Sequence, residues 1–117
     1  MIDLHLHTTA SDGRCTPAEL VNAAAAAGLT CMAVTDHDTV AGLPPAIARG
    51  EKHGLEVVSG VELGIQWNAP EPRSFGAGGQ MHLLGYFFRA DDPGLCERLS
   101  WLRDRRRERA QRIVEKL

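Results

Sequence analysis

His5 and His7 stand two residues apart at the end of a short apolar run formed by Ile2, Leu4 and Leu6. Alternate residues of a strand share a face, roughly 6–7 Å apart along the backbone. Two imidazoles at that spacing can lean toward one cation, since a Zn–N bond is about 2.0–2.1 Å long. An H-x-H pair near an N-terminus is equally compatible with an ordinary surface, so the argument turns on what accompanies it. Asp12 lies in the polar loop that follows, His37 comes after a second apolar run, Glu62 after a third, and His82 at the start of a later one. Mixed imidazole and carboxylate donors suit Zn, Mn or Fe better than Ca or Mg. Cys15, Cys31 and Cys96 are isolated and have no ligand spacing, which disfavours a structural zinc ribbon or finger.

The elements that must position these residues alternate along the chain. Residues 2–6 read as a buried strand, followed by the loop Thr8-Thr9-Ala10-Ser11-Asp12-Gly13. Thr16-Pro17-Ala18-Glu19 has the form of a capping box with proline at the first helical position, and Gly28 stops that helix. Residues 31–34 form a second apolar strand, ending in Thr35-Asp36-His37-Asp38. A second helix is predicted over about 43–53, with Pro44 and Pro45 in its first turn and Gly54 as its stop. Residues 56–59 are a third strand, with Gly60-Val61-Glu62 directly after it. The rhythm predicts βαβ units and a parallel sheet. Its ligands would then gather outside the carboxyl ends of the strands, where successive loops converge. Residues 62–67 and 81–88 are two further strands, with a loop over 69–80 between them. Asp92-Pro93 opens a long final helix carrying Leu95, Leu99, Leu102, Ala110, Ile113, Val114 and Leu117 at helical spacing. That apolar stripe needs something to bury it.

Composition bounds the class. With 117 residues, 44% of them hydrophobic and 24% charged, and a net charge of −2, the chain reads as a globular α/β domain. No segment holds the roughly 20 apolar residues of a membrane span, and the first residues lack a basic region before a long apolar run. Three isolated cysteines suit reduced thiols and a cytoplasmic setting better than a disulfide frame.

The residues then reach a family. Met1-Ile2-Asp3-Leu4-His5-Leu6-His7-Thr8-Thr9-Ala10-Ser11-Asp12-Gly13 resembles the first motif of the PHP (polymerase and histidinol phosphatase) superfamily. Ala33-Val34-Thr35-Asp36-His37-Asp38 looks like its second, and Gly60-Val61-Glu62 like its third. Met81-His82-Leu83-Leu84-Gly85-Tyr86 is similar to the histidine-bearing strand of its small-molecule and nucleotide phosphoesterases. The resemblance covers nearly the whole chain, with the motifs in order. It implies the N-terminal part of a distorted (β/α)7 barrel with mostly parallel strands and two or three divalent metals (Mn, Zn or Fe). By that resemblance His5, His7 and Glu62 would hold one metal. Glu62 would bridge to a second, bound also by His82, and Asp12 with His37 would hold a third.

The family also supplies a further histidine and an Asp-x-His pair from its C-terminal half, and no histidine follows His82 here. A related complete barrel takes on the order of 200 residues or more. Residues 1–117 are therefore read as an incomplete PHP domain, with helix 93–117 leading into a further or inserted domain. The alternative is a short natural variant.

The implied reaction is hydrolysis of a phosphate ester by a metal-activated hydroxide, with no protein nucleophile. The implied partners are nucleoside 3′,5′-bisphosphates or the 5′ ends of short RNA, and no membrane. Histidinol-phosphate phosphatase is a second enzymatic reading, and a non-catalytic, metal-stabilised PHP module a third. Asp36 and Asp38 flank His37 and are expected to support ligands rather than ligate. For Asp36 that means orienting a ligand, and for Asp38 capping the next helix. Asp3 is a weaker candidate of the same kind. The arginines at 103, 105, 106, 107, 109 and 112 read either as a solvated face paired with Asp104 and Glu108 or as phosphate contacts. Trp67 and Trp101 read as core or docking residues before base-stacking ones, and His53 as a partner of its helix dipole.

Overall fold

Two of the three helices begin on a side chain that satisfies one of their first backbone amides. The computed structural model describes residues 1–67 and 79–117. Its elements are β1 (Ile2–Leu6), α1 (Pro17–Ala26), β2 (Cys31–Val34), α2 (Leu43–His53), β3 (Glu56–Trp67), β4 (Gly79–Tyr86) and α3 (Pro93–Glu115). At α1 the box closes both ways. The Glu19 amide donates to the Thr16 hydroxyl at 3.3 Å, and the Thr16 amide donates to the Glu19 carboxylate at 2.8 Å. Thr16→Ala is expected to cost about 1 kcal/mol of stability, read as a lower urea midpoint with an unchanged slope. Asp92 caps α3 by accepting from the Leu95 amide at 2.8 Å. α2 ends at Gly54, whose φ of 64° is the left-handed cap that glycine adopts without strain.

The strand order is β1-β2-β3-β4, with β1, β2 and β3 parallel and β4 antiparallel to β3. Parallel neighbours joined by right-handed crossovers place both connecting helices on one face. α1 and α2 accordingly share one core, built from Val21 and Ala24, Met32 and Val34, and Leu43 and Ala46. Sequential order with helices on one side is barrel winding rather than a doubly wound sheet. The sheet also curls. Tyr86 on β4 donates its hydroxyl to the Leu4 carbonyl on β1 at 2.7 Å, although a flat sheet would hold those strands about 14 Å apart. The architecture is a half-barrel.

Several expectations change. The segments 56–59 and 62–67 form one strand, so Glu62 lies inside β3 rather than after it. β3 switches partner along its length, pairing with β2 over 56–59 and with β4 over 60–67. The switch falls at Gly60, where a Cβ would meet Thr35 Cγ2 and the Val34 carbonyl oxygen. β4 begins at Gly79, which puts His82 within the strand opposite Gly64. The part of the 69–80 loop before Gly79, and the Trp67 side chain, fall outside the described residues. β1 is an edge strand: Leu6 packs on the core, but Ile2 and Leu4 are 64% and 39% exposed, not buried. In α3, Leu99 is buried while Ile113 and Val114 are exposed. No helix of the described residues is long and apolar enough to cross a membrane.

Candidate metal centre

The parallel strands deliver their carboxyl ends to one edge, and the six predicted side chains meet there around Glu62. Its side chain is 3% exposed. Oε2 lies 2.8 Å from His5 Nε2, 3.0 Å from His7 Nε2 and 3.8 Å from His37 Nε2, and Oε1 lies 2.5 Å from His82 Nδ1. The four imidazoles form a continuous belt, with ring centroids 5.2 Å apart for His5 and His7, 4.7 Å for His7 and His37, and 5.6 Å for His37 and His82. Asp12, more exposed, closes the other side, with Oδ1 3.3 Å from His7 Nδ1 and Oδ2 3.4 Å from His37 Nε2. Two sets of ligand atoms are close enough to share an ion: His5, His7 and Glu62, and His7, Asp12 and His37. His7 thus belongs to both groups, whereas the motif resemblance assigns it to one.

Burial by itself would raise the Glu62 carboxyl. The His5 hydrogen bond, the charge of His37 and the His82 hydrogen bond outweigh it, and the carboxyl lies below its ordinary value of 4.5. A carboxylate whose folded value is lowered stabilises the fold above the unfolded value, and loses that contribution as pH falls through the folded one. In metal-free protein the stability advantage of wild type over Glu62→Gln should therefore be full above about pH 4.5 and shrink as pH falls below that toward the lower folded value. Urea denaturation at a series of pH values reads this directly.

The donor set fits a divalent cation. Among the described residues, His7 Nδ1 is buried without a hydrogen-bond partner, its 3.3 Å approach to Asp12 not being aligned as one. A buried ring nitrogen left unpaired is costly, and its neighbours are imidazole nitrogens and carboxylate oxygens, the donors that Zn, Mn and Fe take.

Asp36 does not orient an imidazole. Its buried carboxylate accepts the Thr8 amide and hydroxyl and the Ser11 hydroxyl, each at 2.7 Å, and so anchors the loop that carries Asp12. The turn is tight enough that a Cβ at Gly13 would run into the His7 backbone. Asp38 does not cap α2, whose N-cap is Gly42 without a side-chain bond. Its carboxylate pairs with Arg106 Nε at 2.8 Å, and its carbonyl accepts from Arg103 Nη1 at 2.7 Å. The arginines of α3 therefore divide. Arg107 and Arg105 show the expected surface pairing with Asp104 and Glu108, at 4.0 and 3.5 Å, while Arg103 and Arg106 turn inward. These inward contacts join residues 65 or more apart in sequence, and no local pattern announces them. A cleft of about 750 Å³ beside the centre is lined by Asp12, His37 and His82 on one side and by Arg103, Arg105, Arg106 and Arg109 on the other. Asp3 is exposed, and its carboxylate accepts the His5 amide at 3.1 Å rather than a ligand ring. His53 contacts Asn22 Oδ1 at 2.9 Å, and Trp101 is half exposed under Arg105.

A half-barrel with a ready-made imidazole–carboxylate centre at the carboxyl ends of its strands defines the class. The chain belongs to the PHP domain family, whose profile matches residues 3–114. It is 38% identical to the 5′-3′ exoribonuclease Rnm of Escherichia coli over 98% of this chain and 37% of the relative. It is 34% identical to the 3′,5′-nucleoside bisphosphate phosphatase of Chromobacterium violaceum over 96% of this chain and 36% of the relative. The chain thus spans little more than a third of the curated relatives it matches. Among solved structures, an amidohydrolase from Chromobacterium violaceum with bound sulfate superposes with a TM-score of 0.80 at 35% identity, over 95% of this chain and 36% of that one. A protein from Bifidobacterium adolescentis, proposed to be a metal-dependent phosphoesterase, gives 0.78 at 31% identity, over 98% and 37%.

Proposed function

We propose that this chain carries the N-terminal share of the active centre of a metal-dependent phosphoesterase. Its substrates would be nucleoside 3′,5′-bisphosphates or the 5′ ends of short RNA. The observation that carries the reading is Glu62, buried and ringed by four imidazoles. His5, His7, Asp12, His37, Glu62 and His82 are the proposed ligands of two or three divalent ions, Mn, Zn or Fe. Such ions lower the pKa of bound water and offset the charge that develops on a phosphoryl group. Glu62 faces His5, His7 and His37 through Oε2 and His82 through Oε1, Asp36 fixes the loop bearing Asp12, and the α3 arginines supply the opposite, cationic wall. The length of the relatives supports reading residues 1–117 as an incomplete PHP domain, with α3 leading into a further or inserted domain and the remaining ligands supplied from beyond it. Three free cysteines suit a cytoplasmic enzyme.

The cleft favours nucleotides over histidinol phosphate. Four arginines line it against two aspartates, a balance that attracts a second anionic group and opposes the amine of histidinol phosphate. Its volume lies in the range of small-molecule sites, about 300–1,000 Å³. The deciding experiment assays the full-length protein with Mn on adenosine 3′,5′-bisphosphate, histidinol phosphate and a 5′-phosphorylated oligonucleotide, alongside metal analysis. Turnover of the first or third, abolished in His7→Ala, supports the proposal. Preference for histidinol phosphate would reassign the substrate, and absence of both metal and turnover would leave a non-catalytic module.

A further inference from the structure

Asp38, one residue beyond His37, adopts a φ of 51°, in the left-handed region that aspartate enters more readily than most residues. The backbone around it is fastened to β3 at the residue bearing the central carboxylate. The Asp38 amide donates to the Glu62 carbonyl at 3.0 Å, and the Glu62 amide donates to the Asp36 carbonyl at 3.1 Å. What remains of Asp38 is satisfied from α3. Arg103 holds its carbonyl, and Arg106 holds a carboxylate that is only 4% exposed. The same guanidinium lies over β3 at Gly64, two residues past Glu62 and opposite His82. A Cβ at position 64 would collide with Arg106 Nη2. Glycine at this position leaves the space that the guanidinium fills.

We infer that Arg106, seated over Gly64 and paired with Asp38, is a positioning residue of the metal centre: through it α3 sets how His37 and Glu62 are placed relative to one another. The inference rests on reading the cluster as a metal centre. It goes beyond that reading by making the centre depend on a helix that supplies none of its ligands. A guanidinium suits the task because its planar fork can direct Nε to a carboxylate while its Nη groups extend across the neighbouring strand, which a lysine ammonium cannot do. Residues that orient metal ligands indirectly typically change metal affinity 10–100-fold when lost. Arg106 contacts the residue next to one proposed ligand and crosses the strand of another.

The test uses full-length, metal-free protein titrated with Mn by calorimetry. Wild type, Arg106→Met, Gly64→Ala and the double variant are compared, each at a temperature where circular dichroism shows it folded. Arg106→Met is expected to weaken Mn binding by about 10–100-fold, and Gly64→Ala to weaken it by less, because a Cβ there displaces only the flexible end of the guanidinium. The double variant should be no weaker than Arg106→Met, because a Cβ at 64 then has no guanidinium to displace. Non-additivity of this kind is the signature of residues acting through one contact. A contact that only stabilises the fold would lower the melting temperature and leave Mn affinity where it was, which overturns the role assigned to Arg106. Multiplicative effects of the two substitutions would overturn it as well. Wild-type protein that binds no Mn would overturn the metal-centre reading and this inference together, so the two failures are distinguishable.

Discussion

Glu62→Gln is expected to lower kcat/KM for adenosine 3′,5′-bisphosphate about a thousandfold in the full-length protein, with reduced bound metal. The side chain keeps its size, so packing in β3 is preserved. What changes is charge: an amide offers one neutral oxygen where the carboxylate offers two anionic ones, and both face imidazoles at 2.5–3.0 Å. Charge stabilisation by a metal centre is worth several kcal/mol, and about 4 kcal/mol corresponds to three decades in rate. Steady-state kinetics together with metal analysis by mass spectrometry checks both halves. Turnover within tenfold of wild type at equal metal content would show that the proposed centre does not carry the chemistry.

Asp36→Ala should be the most destabilising single substitution around the site, by about 3 kcal/mol. The carboxylate accepts three hydrogen bonds at 2.7 Å in a setting where it and Thr8 are almost wholly buried. Removing it strands a buried amide and a buried hydroxyl, each costing about 1–3 kcal/mol when unsatisfied. The vacated volume lies beside Gly42, where even a Cβ would meet Asp36 and Thr8, so this region is packed too closely to admit easy repair. Chemical denaturation measures the loss. The loop that bears Asp12 should loosen as well, so metal affinity should fall in protein that is still folded at low temperature. Asp36→Asn retains part of the hydrogen bonding and should lie between wild type and alanine. A loss below 1 kcal/mol for Asp36→Ala would mean that the loop is held by something else.

Much of this was legible in the chain. Thr16-Pro17-Ala18-Glu19, Asp92-Pro93 and Gly54 act within a few residues of themselves, so local chemistry places those helix ends without help from the fold. The βαβ rhythm likewise follows from short apolar strands separated by capped helices. It implies that His5, His7, Asp12 and His37 share one edge, because parallel strands share a carboxyl end. The boundary of β3 was not legible. Gly60-Val61-Glu62 reads locally as a strand stop, yet β3 continues through it because Gly60 lets the strand leave β2 and join β4. The exposure of Ile2 and Leu4 was also hidden, since alternation marks a strand but not whether a neighbour covers its edge.

The roles of Asp36 and Asp38 separate the two kinds of knowledge most clearly. Both flank His37 in sequence, and adjacency by itself suggests similar support for it. In the fold their carboxylates diverge: one anchors the loop after β1, and the other reaches α3. Side-chain chemistry and backbone propensity are local properties, so the chain alone identifies which residues can ligate and the order of strands and helices along it. Tertiary structure alone decided that Glu62 stands at the centre of four imidazoles and that His7 belongs to both ligand groups. It also decided that two arginines of a surface-like helix turn inward to Asp38. Those facts depend on the curl of the sheet and the docking of α3, which join residues far apart in the chain.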